Sequence, residues 1–155
     1  MAASTTPTAT INTFLMKFDG VTAKPTAQDI SNAKKVVDIK SVPAFGGEPE
    51  TLETTTLSDN MEKFILGVQK NEMKEFKSNY TLSDYKKLKE LEGKEDIWWA
   101  VFLGADGSGA PDGHDGIFVW QGGISTMLDE GDVNAVREMT SYISCSTAPE
   151  MLATE

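Results

Sequence analysis

Thr81-Leu82-Ser83-Asp84-Tyr85-Lys86-Lys87-Leu88-Lys89-Glu90-Leu91-Glu92-Gly93 and, three residues further on, Ile97-Trp98-Trp99-Ala100-Val101-Phe102-Leu103 decide the fold class. In the first run Tyr85, Leu88 and Leu91 recur at a spacing of three, with lysines on the remaining surface, which is the apolar stripe of an amphipathic helix. Thr81 and Ser83 offer capping hydroxyls, Asp84 lies just inside the first turn, and Gly93 supplies a C-terminal stop. The spacing predicts a helix over 82–92. The second run carries no polar residue at all, so it reads as a strand that is buried throughout or has an apolar outer face.

Outward from this pair, the pattern is that of strands. Ile117 to Trp120 resumes an apolar run after the glycine-rich stretch Gly104 to Gly116, so the two runs read as a hairpin with a long tip loop. Glu72 to Tyr80 alternates, with Phe76 and Tyr80 on one face and Glu75, Lys77 and Asn79 on the other. Val36 to Pro43 sets Val37 and Ile39 against Asp38 and Lys40. Ile11 to Phe18 is a first short strand, and the threonine-dense stretch Glu50 to Leu57 suits a pleated surface better than a helix. Val133 to Cys145 places Val133, Ala135, Met139, Ile143 and Cys145 on one face. The sum is a mainly β protein: an antiparallel β-sandwich or barrel-like domain over residues 11–147 with one flanking helix. Residues 1–10, small and Thr-rich, are expected to be a mobile arm, and residues 148–155 a tail. An antiparallel sheet of this kind leaves open edges that an oligomer can pair.

Composition excludes several classes. The chain has 155 residues, long enough for one domain with a sizeable core, and a formal net charge of −10. Its acids crowd the second half, where Arg137 is the only arginine of the protein. Binding that neutralises phosphates needs clustered Lys and Arg, so tight nucleic-acid binding is not expected. A single cysteine, Cys145, rules out an internal disulfide, and its alternation with Met139 and Ile143 places it in the core. The N-terminus lacks the basic and apolar regions of a signal peptide, and no apolar run approaches a membrane span. A cytoplasm-like compartment and no membrane binding are expected.

The residues that carry chemistry are few. Asp106, Asp112, Asp115 and His114 form the one cluster with metal-ligating side chains, but their spacing is not that of an EF-hand, and glycines at such a tip serve to turn a hairpin. His114 is the sole histidine and has no second histidine for a relay. No nucleophile elbow, phosphate loop or dinucleotide fingerprint is present. No enzyme activity, metal or cofactor is expected. Trp98, Trp99 and Trp120 lie in apolar strand-like runs and read as core or as an apolar subunit interface. Met61-Glu62-Lys63-Phe64-Ile65-Leu66-Gly67 is harder to bury within one chain, because Ser58-Asp59-Asn60 and Gly67 punctuate it; core and a contact formed on assembly both remain open.

Val36-Val37-Asp38-Ile39-Lys40-Ser41-Val42-Pro43, followed by Gly46-Gly47-Glu48-Pro49-Glu50-Thr51-Leu52-Glu53-Thr54-Thr55-Thr56-Leu57-Ser58-Asp59, resembles the major tail tube proteins of siphophages infecting Gram-positive bacteria. Phe64-Ile65-Leu66-Gly67 and Glu72-Met73-Lys74-Glu75-Phe76-Lys77-Ser78-Asn79-Tyr80 match further segments of that family, and the helix and Trp98-Trp99 strand follow in its order. The resemblance implies a tail tube fold, similar to the tube protein of type VI secretion. It implies stacked hexameric rings assembled in the host cytoplasm into the virion tail, around a tape-measure protein and between the tail terminator and distal tail proteins. DNA passes through the channel without specific binding. It also implies a long inter-strand loop reaching a neighbouring ring, around 61–68, so Met61, Phe64, Ile65 and Leu66 are contact candidates. The polar strand faces bearing Glu75 and Glu138 are candidates for an acidic lumen. Two rival expectations stand beside it: another ring- or tube-forming protein, such as a tail terminator or type VI tube subunit, and a monomeric β-barrel module binding a ligand or carbohydrate.

Overall fold

A computed structural model describes residues 12–20, 23–45, 49–69 and 72–152. The expected arm at 1–10 lies outside these residues. In chain order the elements are β1 (Thr13–Phe18), a 3-10 helix (Ala27–Asn32), β2 (Ala33–Val37), β3 (Pro49–Glu53), β4 (Phe64–Gln69) and β5 (Lys74–Asn79). Then come α1 (Leu82–Leu91), β6 (Ile97–Ala105), β7 (Pro111–Gly122), β8 (Ile124–Leu128), β9 (Glu138–Ile143) and β10 (Glu150–Met151). All strand pairings are antiparallel.

The expected mainly β architecture is present. One sheet runs β10-β7-β6-β1-β2, a second runs β5-β9-β8, and β3-β4 is a separate two-stranded ribbon. The two larger sheets face each other across Leu15, Val37, Phe76, Trp99, Val101, Trp120, Met139 and Ile143. Beyond the end of β2, Ile39 bridges to Ser78 of β5, and the Lys40 amide donates to the Lys77 carbonyl at 2.7 Å. One side of the sandwich is thereby joined, yet among the described residues the sheets do not close into a barrel.

β6 explains why the Ile97–Leu103 run has no polar face. Trp99 and Val101 point into the inter-sheet core, while Trp98, Ala100 and Phe102 point the other way into a second cluster with Met16, Phe18, Ile117, Val119 and Leu152. Each fully buried side chain of this size is worth about 1.5–3 kcal/mol relative to exposure. Trp99 also donates its indole N–H to the Gly122 carbonyl at 2.9 Å, so burial leaves that group satisfied.

α1 begins and ends close to where its caps put it. The Thr81 hydroxyl accepts from the Asp84 amide at 3.2 Å, and Leu88 and Leu91 are buried. The helix also manages an edge. Just past its end, the Glu92 carboxylate accepts from the Thr126 amide of β8 at 2.8 Å, covering a strand that has β9 on its other side only. That bond lowers the Glu92 pKa, with the Lys89 ammonium assisting at 3.0 Å.

Several sequence expectations are corrected. The long loop 104–116 is instead mostly strand: β6 and β7 extend to Ala105 and from Pro111, with a bulge between Leu103 and Ala105. The Asp106 carboxylate closes the short turn by accepting from the amides of Ser108 (2.8 Å) and Ala110 (3.0 Å). Gly104 (φ +108°) is required there, because a Cβ would meet the His114 ring at 2.6 Å. The last strand is shorter than its alternation suggested, Glu138–Ile143, and leaves residues 133–137 outside it. The strand β8 was hidden after Gly122-Gly123. Gly122 is needed where the chain crosses between sheets, since a Cβ would lie 1.8 Å from the Ser144 carbonyl oxygen. Of the tail expected at 148–155, residues 153–155 lie outside the described residues; within the rest, β10 pairs with Val119 and Phe118, and Leu152 is buried. Cys145 is half-buried against the core, and burial raises its thiol pKa.

Candidate assembly surface

The four contact candidates fall on the β3–β4 ribbon and its tip. Register pairs Glu53 with Phe64, Leu52 with Ile65 and Thr51 with Leu66. Side chains alternate across a strand, so Phe64 and Leu66 lie on one face and Leu52 and Ile65 on the other. Both faces carry exposed apolar side chains, with Thr51 and Glu53 sharing the face of Phe64 and Leu66: Met61 is 76%, Phe64 53%, Ile65 53% and Leu66 72% accessible. Leu57, at the tip, is fully exposed as well. Neither strand joins another sheet, so both outer edges are unpaired among the described residues.

The ribbon nevertheless has a defined tip. The Thr54 amide donates to the Lys63 carbonyl at 2.8 Å, and the Lys63 amide donates to the Thr55 hydroxyl at 2.8 Å. The Asp59 carboxylate accepts from the Thr56 amide at 2.8 Å and pairs with the Lys63 ammonium at 2.7 Å. These contacts, led by Lys63, hold the Asp59 carboxyl below its ordinary pKa. A lone two-stranded ribbon is at best marginal in water. The sequence raised core and assembly contact as alternatives for this segment, and the fold leaves it out of the core.

Glu75 and Glu138 lie on the same outer face of the β5-β9-β8 sheet: Glu75 is paired in register with Tyr142, and Asn79 with Glu138. That face is not purely acidic. Lys77 shares it opposite Thr140, and the Lys40 ammonium pairs with Glu138 at 3.3 Å.

A second apolar patch escaped the sequence reading. Val133, expected on the same strand face as Met139 and Ile143, is 90% exposed in the connection between β8 and β9, and Val136 nearby is 68% exposed. Met127 and Leu128 at the end of β8 are exposed beside them. The signal was present in Asp129-Glu130-Gly131-Asp132, a turn sequence that continues past Val133 to Asn134 at φ +67°. The Asp129 amide bonds to the Glu138 carbonyl at 3.0 Å and its carboxylate accepts from Thr140 at 2.6 Å, so the connection is a hairpin end.

At the β6–β7 tip, His114 lies between two carboxylates, with Nδ1 2.7 Å from Asp112 and Nε2 3.3 Å from Asp115. The Asp112 hydrogen bond, with the charges of Asp112 and Asp115, raises the histidine pKa. Asp106 turns instead onto its own loop. No group of three or more His, Cys, Asp or Glu among the described residues is placed to hold a metal ion. The tryptophans are packed in the two clusters of the body.

The overall fold is similar to that of chains from phage-tail-like injection machines. A chain of the six-fold symmetrised baseplate of the anti-feeding prophage aligns over 98% of this chain and 99% of its own, with a TM-score of 0.65 and 10% identity. A chain of the sheath/tube terminator of an extracellular contractile injection system, in its extended state, aligns over 97% of this chain and 100% of its own, with a TM-score of 0.62 and 12% identity. No family model matches the sequence, and no curated protein matches it. At such identities the likeness is one of fold.

Proposed function

We propose that this chain is a structural subunit of a phage-type tail tube, forming stacked, six-membered rings whose channel passes DNA, and that it catalyses no reaction. The observation that carries the reading is the β3–β4 ribbon. It presents apolar side chains on both faces, outside the body of a fold found in tail machines, one of them in a six-fold symmetrised assembly. Exposed apolar surface of this kind marks a place where another surface binds. In this reading Met61, Phe64, Ile65 and Leu66 are buried between subunits of successive rings. The tube surrounds a tape-measure protein, ends at terminator and distal tail proteins, and resides in the virion tail. The net charge of −10 suits a conduit that repels phosphate and lets the duplex slide. Glu75 and Glu138 face that channel, beside Lys77 and Lys40, so the repulsion comes from the whole wall rather than from these two carboxylates.

Electron microscopy of the purified protein over a concentration series, with sedimentation beside it, tests the proposal. Hollow tubes or stacked rings are expected. A monomer at every concentration, together with failure of antibody to decorate the tail shaft of the parent virion, would overturn it. A second reading is a ring that ends a tube rather than propagating it, and likeness to a sheath/tube terminator favours it. Single rings that never stack, and antibody label at one end of the shaft, would select that reading.

A further inference from the structure

β5 alternates, and its buried face carries Lys74, Phe76 and Ser78, so a lysine occupies a core position at 6% exposure. Phe76 stacks on Trp120 in the inter-sheet core. Lys74 reaches elsewhere. Its ammonium donates to the Ala44 carbonyl at 2.8 Å and lies 5.4 Å over the Phe45 ring. Phe45 in turn stacks on Phe118 at 5.5 Å and packs, tilted, on Trp120 at 5.4 Å. Beside them the Cys145 thiol donates to the Glu72 carbonyl at 3.6 Å. These contacts meet at the two roots of the β3–β4 ribbon: Ala44 and Phe45 stand shortly before Pro49, where β3 starts, and Glu72 and Lys74 shortly after Gln69, where β4 ends. We infer that Lys74 is a positioning residue. By tying the two roots to each other and to the body, it sets the direction in which the ribbon projects. The inference deepens the assembly reading above, on which the use of that direction rests.

Three arguments carry it. First, the ribbon belongs to neither larger sheet, so no strand ladder orients it against the body. A chain reaches at most about 3.6 Å per residue, so strands that start this close to a clamp stay near it. Second, the core by itself does not call for a lysine. Burying an ammonium costs free energy, and among the described residues its partners are a neutral carbonyl and a ring rather than a carboxylate. An apolar side chain of similar length fills such a position as well or better. What the lysine alone supplies is the bond across to Ala44. Third, a projecting surface that is already aimed loses less freedom on being covered than one that swings.

The test uses the full chain as a dilute monomer and reads residual dipolar couplings of its backbone amides in a weakly aligning medium. In the parent, the amides of residues 51–53 and 64–66 are expected to share one alignment with β5 and β9. In Lys74→Met the ribbon's couplings are expected to collapse toward zero. Those of β5 and β9 stay as they are, the unfolding midpoint does not fall, and the Thr54 amide, bonded to Lys63, remains protected from exchange. A ribbon that keeps the body's alignment in Lys74→Met, or that is already averaged in the parent, would overturn the inference. Should Lys74→Met fail to fold, Phe45→Leu, which takes the ring out of the clamp without altering β5, decides by the same couplings. Assembly is read separately. Where the parent assembles, Lys74→Met is expected to raise the concentration needed by about tenfold, and unchanged assembly would overturn the role given to the ribbon's direction. A parent that forms no higher-order species defeats the tube reading and leaves the monomer result to stand or fall by its own couplings.

Discussion

Two antiparallel ribbons of this molecule carry apolar residues on both faces, and they meet opposite fates. In β6–β7 one face enters the core between the sheets, through Trp99, Val101 and Trp120, and the other enters the second cluster, through Trp98, Phe102 and Val119. In β3–β4 the corresponding faces, Leu52 with Ile65 and Phe64 with Leu66, meet nothing that buries them. The same two-sided pattern needs two covers in either place. Among the described residues the chain provides both for β6–β7 and neither for β3–β4. A strand without a polar face therefore identifies buried surface, and says nothing about whose surface does the burying.

Breaking the body should cost most. Trp99→Ala removes a fully buried indole and its hydrogen bond to Gly122, and should destabilise the monomer by about 3–5 kcal/mol in chemical denaturation. A loss below about 1 kcal/mol would mean that β6 is not the centre of the fold. Gly122→Ala forces a methyl group into the Ser144 carbonyl, and a loss of about 1–3 kcal/mol is expected by the same assay. On the ribbon the sign of the comparison reverses. Phe64→Ser with Leu66→Ser should shift monomer stability by no more than about 0.5 kcal/mol, yet abolish tubes in electron microscopy. Should the pair unfold the monomer, the ribbon belongs to the body after all.

The smallest effect concerns the tip of the buried hairpin. His114 Nδ1 lies 2.7 Å from Asp112 and Nε2 3.3 Å from Asp115, so both carboxylates favour the protonated ring. Its folded pKa is raised, so its contribution is full below the unfolded value near 6.5 and is lost as pH rises through the higher folded value. NMR titration of the ring should give a midpoint above the ordinary range, and Asp112→Asn should lower it. An identical midpoint in that variant would show that the carboxylate does not hold the ring.

Local patterns in the sequence were enough for α1, β1, β5 and β6. Their periods are undisturbed, and the caps Thr81 and Gly93 act within one turn of the chain. Exposure of the ribbon was legible only as a difficulty, because Met61 to Gly67 is as apolar as a core strand. The β8–β9 end was not legible. Val133 fits the alternating face of Met139 and Ile143, and only the turn at Asp129–Asn134 takes it out of the strand.

By itself, then, the sequence determined which residues are helical, which runs are apolar enough to be drawn out of water, and that the chain is strongly acidic. Period, capping and net charge are local or additive properties, so they survive without coordinates. Only the tertiary structure decided which apolar runs the chain covers for itself. Burial depends on what lies across the sheet, and those partners are far apart along the chain: Leu15 shares the first cluster with Met139, and Phe18 shares the second with Leu152. The register across a bulge, the crossing at Gly122 and the return of Leu152 are contacts at long sequence separation, and no stretch read alone contains them.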